Sequence, residues 1–503
     1  MVSNLKANLI SNFLIQFWIA LMGIGLVPIY VKILGVETYG LIGLFAVIGA
    51  WVSLLDMGMK PILSREMARF TGGGNSAEGV RDLLRSLEFF SFLLASVIIA
   101  GIFLSSDWLA KNWLKVETIS VLSVSESISI MGVIMALGFV QGLYGSCLGG
   151  MQRHVQMNAM TAVIASLRGL GAIGVLMWIS PTIKYFFLWQ AFMALVSLMS
   201  FIYLTYKVLP RTRRSARFSI AEIVRVRKYG VGILGITVIS LLLTQMDKLL
   251  LSKFLTLTDF GYYTIASLAA GSLSMLSSPI VATWFPRLSQ LHASDNEIEL
   301  IKAYHLGAQL ITVIVGSAAI VLMVFPEVVL SLWTRDAVLV KETSYLFMVM
   351  ILGNLLNALM MIPYQTQLAF GWTSLTVRIN LIALPLVTIA LYYFLPNFGA
   401  IGAAWIYVAL NAGYLLFGVL FMYKKILRAE MKRWYLEDLL LPLLAGSFVV
   451  LTIKIFIPVV VSPLGQFGTL FFLTIITLLV TSQIAPEVRR KSSLIATKIF
   501  KIF

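Results

Sequence analysis

The stretch NLISNFLIQFWIALMGIGLVPIYV, residues 8–31, is a run of 24 residues without a charged side chain. About 20 apolar residues are enough for a helix to cross the hydrocarbon core of a bilayer. The run is too long for the apolar region of a signal peptide, which has roughly 7–15 residues, and it lacks a cleavage-like end. It therefore predicts the first membrane-spanning helix.

Similar apolar runs continue along the 503 residues, of which 59% are hydrophobic and 12% charged, with a mean hydropathy of +0.94. Soluble chains carry about 25% charged residues, so this composition excludes a soluble globular protein. We expect an all-α polytopic membrane protein of about 14 transmembrane helices. The predicted spans are about 8–31, 39–62, 87–106, 128–150, 159–180, 186–206, 231–254, 262–284, 307–327, 345–369, 379–395, 398–422, 439–461 and 467–485.

Lysine and arginine are unevenly distributed over the loops between these spans. With the N-terminus in the cytoplasm, 28 of the 38 Lys and Arg residues lie inside, seven lie outside and three lie within spans. Because cytoplasmic loops carry the excess of positive charge, both termini are predicted to be cytoplasmic. The net charge of +16 suits anionic lipid headgroups. Nucleic acid is not expected as a partner, since no basic soluble domain is present to bind it.

A short motif occurs twice, on either side of the most basic stretch, 207–228. Its residues recur with an offset of 221, as Lys32 and Lys253, Leu34 and Leu255, Tyr39 and Phe260, and Gly40 and Gly261. Each copy lies between the first and second helices of its half. Two six-helix lobes related as parallel repeats are therefore predicted, an arrangement typical of secondary transporters with a site between the lobes.

The predicted organisation follows from the spans and the repeat. The N-lobe covers 1–208, a basic cytoplasmic linker 209–230, the C-lobe 231–424, two C-terminal helices 425–486 and a cytoplasmic tail 487–503. The tail mixes apolar residues with lysines, which favours an interfacial anchor, with a disordered tail as the alternative.

Several kinds of chemistry have no visible parts in the sequence. The glycine run at 72–74 lacks the lysine of a phosphate-binding loop. His154, His292 and His305 are far apart and have no obvious set of acidic partners. The single cysteine, Cys147, excludes an internal disulfide and a cysteine-built metal site. We therefore expect no enzyme activity, no metal and no cofactor.

Arg168 is the first candidate for substrate binding. It lies about nine residues into span 159–180, which places it roughly 13 Å deep. An arginine at that depth costs about 2.5–3.5 kcal/mol on insertion scales, so it is expected to face a cavity or a partner. It either lines an anion-accepting cavity or forms a structural pair between helices. Gly169, Gly171 and Gly174 allow close packing just beyond it.

Two pairs of charged residues are further candidates. Asp56 and Lys60 are spaced i,i+4 at the inner end of the second span and can pair on one face. They form either a helix-end ion pair, or a protonation site at Asp56 with Lys60 positioned for a phosphate. Asp247 and Lys248 are adjacent in the seventh span and point about 100° apart. Asp247 is a candidate for ion coupling and Lys248 for substrate binding, with outward snorkelling as the alternative.

Uncharged polar residues also recur at helical spacing within the spans. Asn12 and Gln16 lie in the first span, and Asn354 and Asn357 lie in the tenth. Their side chains can hydrogen-bond sugar hydroxyls, which makes Asn12, Gln16 and Asn357 candidates for substrate binding. Equally, such residues commonly form hydrogen bonds between membrane helices.

Three stretches together resemble a known family: GLVPIYVKILGVETYGLIG at 25–43, LLDMGMK at 54–60 with REMAR at 65–69, and QMDK at 245–248. They are similar to the polysaccharide-transporter branch of the multidrug/oligosaccharidyl-lipid/polysaccharide exporter superfamily, which includes bacterial O-antigen flippases. The resemblance is strongest over the first ninety residues and extends to about residue 425. Spans 13 and 14 match the fourteen-helix members of the superfamily.

The resemblance implies a V-shaped pair of six-helix bundles that works by alternating access. It would move an undecaprenyl-pyrophosphate-linked oligosaccharide from the inner to the outer leaflet of the bacterial cytoplasmic membrane, with ion-gradient coupling in some relatives. Implied partners are the lipid-linked oligosaccharide, membrane lipids, and polysaccharide polymerase and chain-length proteins. The related flippase for peptidoglycan precursors uses arginines in its first helix. Span 8–31 has none, so that site chemistry does not transfer.

Two other functions compete with this one. A cation-coupled multidrug exporter of the same superfamily would present carboxylates to cationic drugs, and Asp56 and Asp247 are the best-placed acids. Each has a basic neighbour within about a turn. A non-transporting membrane scaffold predicts no buried charge, and Arg168 argues against it.

Overall fold

The computed structural model describes residues 5–210, 212, 214–456 and 462–492, and nearly all of them are helical. Within these ranges no strand forms, and the one extended pairing is an isolated bridge between Lys115 and Thr256. The expected all-α fold is confirmed. Residues 493–503, most of the predicted tail, lie outside the described ranges.

The first ten helices run from the N-terminal end of the described chain to Gly271. They are α1 (Leu5–Gly25), α2 (Val27–Leu34), α3 (Val36–Val52), α4 (Met59–Thr71), α5 (Ala77–Trp108), α6 (Val121–Gly150), α7 (His154–Trp178), α8 (Ile183–Val208), α9 (Ile220–Phe254) and α10 (Leu257–Gly271). A 3-10 turn at Ser53–Asp56 and a π turn at Leu109–Trp113 extend α3 and α5.

Eleven more helices follow. They are α11 (Leu273–Ala293), α12 (Glu297–Ile311), α13 (Ser317–Val324), α14 (Pro326–Thr334), α15 (Ala337–Leu359), α16 (Met361–Ala369), α17 (Thr373–Gly413), α18 (Val419–Lys425), α19 (Met431–Arg433), α20 (Leu441–Phe456) and α21 (Pro463–Ile484). Three π turns join consecutive helices, at Thr312–Gly316, Tyr414–Gly418 and Trp434–Leu440.

Among the described residues, eleven helical runs are long and apolar enough to cross a membrane. The pair α10 and α11, bent by 40°, makes a twelfth if it is one span. The chain is therefore a multi-pass membrane protein. The predicted span 231–254 lies within α9. The total of fourteen spans stays a prediction.

Two predicted spans, 379–395 and 398–422, are not separated by a loop. They lie in one helical run, Ser374–Lys425, that bends at Gly399 inside α17. Gly399 has φ 53° and ψ −139°, a conformation that needs the absence of a side chain. The break in the helix therefore lies three residues after Pro396, close to the gap predicted between the two spans.

The predicted span 39–62 is wrong at its end, because α3 and the 3-10 turn that extends it end at Asp56. Met57 (φ 46°) and Gly58 (φ 80°) both adopt the left-handed conformation, and α4 starts afresh at Met59. Glycine adopts this conformation without steric cost, whereas methionine does so at a cost of about 1 kcal/mol or more. The motif LLDMGMK therefore contains a break between two helices.

By packing, the chain divides into two units, Met1–Gly261 and Tyr262–Phe503. Helix α9 belongs to the first unit, where it contacts α3, α4 and α5. The division falls about 30 residues after the basic linker. The lobe boundaries drawn from the repeat stay a prediction.

The two copies of the repeated motif contact each other reciprocally within the first unit. A Cβ atom added at Gly40 would overlap the carbonyl oxygen of Leu257, and one added at Gly261 would overlap the carbonyl oxygen of Val36. Val36 and Leu257 are separated by the same 221 residues as Gly40 and Gly261. A local two-fold axis produces reciprocal contacts of this kind.

The segment after the π turn of α5 covers this junction. Glu37 of the first copy accepts hydrogen bonds from the backbone N–H groups of Glu117 and Thr118, at 2.7 and 2.9 Å. Thr258 of the second copy, the equivalent of Glu37, donates to the Glu117 carboxylate at 2.5 Å. Leu257 N–H donates to the Lys115 carbonyl at 2.9 Å. One short segment therefore binds the same position in both copies.

The second unit contains its own apolar core between α13, α20 and α21. Its buried members are Ile320, Val321, Phe325, Val450 and Leu473. Packing of these side chains against one another stabilises the unit. The outer faces of the same helices contact lipid and not water. The last two long helices are thus packed onto the second unit.

We expect Gly40→Ala and Gly261→Ala each to destabilise the protein by about 1–3 kcal/mol, because the new methyl group would overlap a backbone carbonyl that has little freedom to move. Thermal unfolding of the purified protein in detergent measures the change. Gly49→Ala is the matched control in the same helix as Gly40, since a Cβ atom there meets nothing within 4 Å. Equal stability of all three variants would contradict the close contact.

Candidate functional site

Arg168 lies near the middle of α7, whose backbone is held by neighbouring helices. The Trp18 indole donates to Ser166 Oγ at 2.9 Å, and the Tyr30 hydroxyl donates to the Gly169 carbonyl at 2.9 Å. On another side, a Cβ atom at Gly171 would overlap the ring of Trp189. The predicted close packing beyond Arg168 is therefore present. The arginine is carried by a rigid segment.

The Arg168 side chain is half-buried, and its guanidinium forms no ion pair with any residue that the structure describes. Its Nε atom is buried without a hydrogen-bond partner. A structural pair between helices, the alternative for this residue, has no second member in the described chain. A buried guanidinium N–H without an acceptor is a strong binding group for an anion.

Asp56 and Lys60 lie on either side of the break between α3 and α4. The Lys60 ammonium is 3.9 Å from Asp56 Oδ1, so the predicted ion pair forms. In addition, the Lys60 backbone N–H donates to Asp56 Oδ2 at 3.3 Å. Asp56 thus binds both charge and backbone at the first turn of α4, where helices favour a negative group. The helical i,i+4 geometry assumed from the sequence is replaced by a turn.

The Lys60 stem lies along α6. A Cβ atom at Gly142 would overlap Lys60 Cε, so the glycine provides the space for the lysine. The ammonium is 5.3 Å from the centre of the Phe139 ring, within the range of a cation–π interaction. With 29% of its side chain exposed, Lys60 is held in place but still accessible.

The other charged candidates, Asp247 and Lys248, are adjacent on α9 as expected. Both side chains are half-buried. Residues 227–237, 239–240 and 243 precede them on the same helix with side chains outside the description. The assignment of Asp247 to ion coupling and Lys248 to substrate binding stays a prediction.

The uncharged candidates differ in their surroundings. Asn12 accepts a hydrogen bond from the buried Asn158 of α7 at 2.6 Å, and Asn357 donates to Asn411 of α17 at 2.9 Å. Both are therefore engaged in hydrogen bonds between helices. Gln16 is exposed on α1. Binding to a substrate stays a prediction for all three residues.

The basic linker is held against the first unit by acidic side chains that the sequence did not single out. Arg214 pairs with Asp82 at 2.6 Å, and this hydrogen bond raises the pKa of the Arg214 guanidinium. In the second turn of α9, the guanidinium of Arg225 is 3.1 Å from the buried carboxylate of Glu66, which belongs to the REMAR motif. Asn75 donates to the same Glu66 carboxylate at 2.6 Å.

The expectation that the histidines lack acidic partners is wrong for His305. Its ring, fully buried in α12, contacts Asp438 at 2.5 Å through Nδ1 and Glu430 at 2.9 Å through Nε2. Gln309 donates to the other oxygen of Asp438 at 2.7 Å. The partners are 125 and 133 residues away in the sequence, so spacing carried no signal of the cluster.

The cluster extends to the end of α21. Gln309 Oε1 accepts the backbone N–H of Glu487 at 2.7 Å, and Arg433 binds the Glu487 carboxylate at 3.0 Å. Together these bonds join α12, the π turn before α20 and the segment after α21. A network of this kind is best explained as the attachment of the C-terminal helices to the second unit.

Comparison with known proteins decides the family. The family model described as "Polysaccharide biosynthesis protein" matches residues 5–292, which is more than half of the chain. The chain belongs to this family. A Shigella flexneri protein named "Putative O-antigen transporter" is 21% identical over 372 residues, which are 74% of this chain and 86% of that protein.

Solved structures share the fold of this family member. The lipid II flippase MurJ, in an inward closed conformation, aligns with a TM-score of 0.73 at 14% identity over 95% of this chain and 98% of its own. An inward-facing multidrug transporter of the MATE family aligns with a TM-score of 0.63 at 15% identity over 84% of this chain and 96% of its own. The expected resemblance to the multidrug/oligosaccharidyl-lipid/polysaccharide superfamily is confirmed, and the chain shares the fold of these solved structures.

A double-mutant cycle on Asn12 and Asn158 separates a link between helices from a binding residue. We expect a coupling free energy of about 0.6 kcal/mol, with about 1.7 kcal/mol as an upper value, because each amide loses its partner when the other is replaced. The free energy of unfolding of Asn12→Leu, Asn158→Leu and the double variant gives the coupling. Zero coupling, combined with loss of transport in Asn12→Leu alone, would instead assign Asn12 to the substrate.

Proposed function

We propose that this protein is a flippase for an undecaprenyl-pyrophosphate-linked oligosaccharide, such as an O-antigen repeat unit. It moves this lipid from the inner to the outer leaflet of the bacterial cytoplasmic membrane by alternating access. Membership of the polysaccharide biosynthesis family supports the substrate class, as does the printed name of the Shigella flexneri relative. Both termini lie in the cytoplasm, in line with the distribution of Lys and Arg.

The observation that carries the proposal is the Arg168 guanidinium. An arginine near the centre of a membrane helix raises the free energy of insertion by about 2.5–3.5 kcal/mol. Here the buried Nε has no acceptor in the described chain, although buried polar groups are normally satisfied. A pyrophosphate supplies acceptor oxygens and negative charge to such a group. Arg168 is therefore the primary residue for the substrate headgroup.

Lys60 is the second phosphate-binding residue in the proposal. Its ammonium is positioned by Asp56, Phe139 and the space at Gly142, and part of it stays accessible. Protonation of Asp56 would weaken its hold on Lys60, which couples proton binding to the freedom of a phosphate-binding group. Asp247 is the second ion-coupling candidate. Lys248, Asn12, Gln16 and Asn357 are proposed as further contacts to the substrate.

The competing function, a multidrug exporter, requires carboxylates that are available to cationic drugs. Asp56 is already bound to the Lys60 ammonium and to its backbone N–H. The buried acids Glu37 and Glu66 are bound to backbone N–H groups and to Arg225. By contrast, the buried Nε of the Arg168 guanidinium has no acceptor among the described residues. This distribution favours an anionic substrate.

We expect cells lacking this protein to accumulate lipid-linked oligosaccharide on the cytoplasmic face of the membrane. Wild type restores export, whereas Arg168→Ala lowers it by about tenfold or more, since a hydrogen bond to a charged group contributes about 1.5–3 kcal/mol. Mass spectrometry of lipid-linked glycans, with protein levels measured in parallel, gives the result. Arg168→Lys retains the charge without the planar guanidinium and is expected to be intermediate.

Lys184→Ala is the control for this experiment, because Lys184 forms an exposed ion pair with Glu126 at 3.0 Å and should export normally. Normal export by a well-expressed Arg168→Ala would remove Arg168 from the site. Absence of accumulation in the deletion strain, together with sensitivity to cationic drugs, would replace the flippase with a multidrug exporter.

A further inference from the structure

A cavity of about 500 Å³ opens beside the first turns of α5, away from Arg168 and Lys60. Five residues line it, and they are Arg85, Glu88, Phe89, Phe92 and Phe218. Four come from α5 and the fifth from the segment that leads into α9. One guanidinium, one carboxylate and three aromatic rings thus surround a single volume.

The polar and apolar parts of the cavity lie at different depths. Arg85 is two residues before the predicted span 87–106, whose 20 residues match a hydrocarbon core of about 30 Å. Phe89 and Phe92 lie on the first turns of that span. The guanidinium is therefore at the level of lipid headgroups, and the rings are at the level of acyl chains. In the proposed orientation this is the cytoplasmic leaflet.

The charged group that the cavity presents to a ligand is the Arg85 guanidinium, although the formal charges of Arg85 and Glu88 cancel. Glu88, nearly fully buried, accepts hydrogen bonds from Tyr144 at 2.9 Å and Tyr206 at 2.7 Å. Arg85 donates to the other oxygen of Glu88 at 3.2 Å, but 61% of its side chain remains exposed. Because the carboxylate is occupied by three donors, the outward-facing group is the guanidinium. Arg217, exposed next to Phe218, adds a second positive charge nearby.

The apolar wall is built and fixed in place. The Phe218 ring packs edge to face on Phe89, with centroids 5.5 Å apart, while Phe89, Phe92 and Phe218 stay 59%, 47% and 46% exposed. The backbone around Phe218 is held to α5, since Ser219 N–H donates to Ser86 Oγ and Arg217 N–H donates to Asp82, both at 2.8 Å. The rings therefore form a stable surface that presents apolar area to the bilayer.

We propose that this cavity binds a phospholipid with an anionic headgroup, whose phosphate contacts Arg85 and whose acyl chain lies over Phe89, Phe92 and Phe218. Basic pockets between membrane helices on the cytoplasmic side are suited to such headgroups. The bound lipid would contact both α5 and the segment before α9, and so would stabilise the linker in its docked position. This site is separate from the one proposed for the transported substrate.

Native mass spectrometry of the full-length protein in detergent tests the site, with dioleoyl phosphatidylglycerol as the probe and dioleoyl phosphatidylcholine as the zwitterionic reference. We expect tighter binding of phosphatidylglycerol, and a loss of about fivefold in its affinity for Arg85→Gln, from one removed contact with an anionic headgroup. Arg69→Gln is the matched control, because Arg69 forms the same i,i+3 pair with a buried glutamate, Glu66, outside the cavity.

Phe218→Ala provides a second variant should Arg85→Gln not fold, and it is expected to weaken phosphatidylglycerol binding by removing part of the wall. Three results would overturn the proposal. These are equal affinity of the wild type for both phospholipids, equal loss in Arg85→Gln and Arg69→Gln, and competition by soluble glycerol 3-phosphate as strong as by the lipid. Displacement by a polyprenyl phosphate at lower concentration would likewise overturn it, since the occupant would then be the substrate lipid.

Discussion

The close contact of Gly40 with Leu257, and of Gly261 with Val36, is the constraint around which the first unit is arranged. At both positions a side chain would overlap a backbone carbonyl, so the two helix starts can meet only because glycine is present. The segment Lys115–Thr118 then binds Glu37 in one copy and Thr258 in the other. This junction fixes the end of α9, whose beginning is held by Glu66 and Arg225. A helix of 35 residues is thus held at both ends by polar contacts.

Two kinds of buried charged group are found among the described residues. Glu37, Glu66, Glu88 and Asp438 each bind several donors and connect elements far apart in the sequence. The polar groups of such a network are hydrogen-bonded to one another. Removing one partner therefore destabilises the protein by more than the whole network stabilises it. Arg168 differs, because its buried Nε has no acceptor in the described part of the chain. A satisfied network explains structure, whereas an unsatisfied cation in a membrane helix indicates a ligand.

Much of the fold could be predicted from the sequence. Uncharged runs such as 8–31 predict spanning helices because the bilayer requires their length and composition. The repeat singled out Gly40 and Gly261, which the structure places at close contacts, whereas the lobes drawn from the repeat stay a prediction. The positions at which helices bend or end were harder to predict. Gly399 bends α17 without a loop, while Met57 and Gly58 stop a helix in a run that reads as continuous. Such local backbone conformations depend on packing against neighbouring helices. The hydropathy pattern carries no information about that packing.

The site was predictable only in part, for a related reason. Arg168 and the pair of Asp56 and Lys60 could be found because charge within an apolar run is rare. The environment of His305 could not, since its partners lie 125 and 133 residues away. Asn12 and Asn158 show the same limit. The sequence alone does not distinguish a polar residue that hydrogen-bonds another helix from one that binds a sugar.

The most direct test of the central claim is transfer of the lipid itself across a bilayer. The purified protein is reconstituted into vesicles that carry a fluorescent undecaprenyl-pyrophosphate oligosaccharide, and a glycan-cleaving enzyme added outside reports the fraction in the outer leaflet over time. We expect the protected half of the lipid to become cleavable in vesicles with wild type and to stay protected in protein-free vesicles. Persistent protection with folded, correctly inserted protein, with and without an imposed proton or sodium gradient, would contradict it.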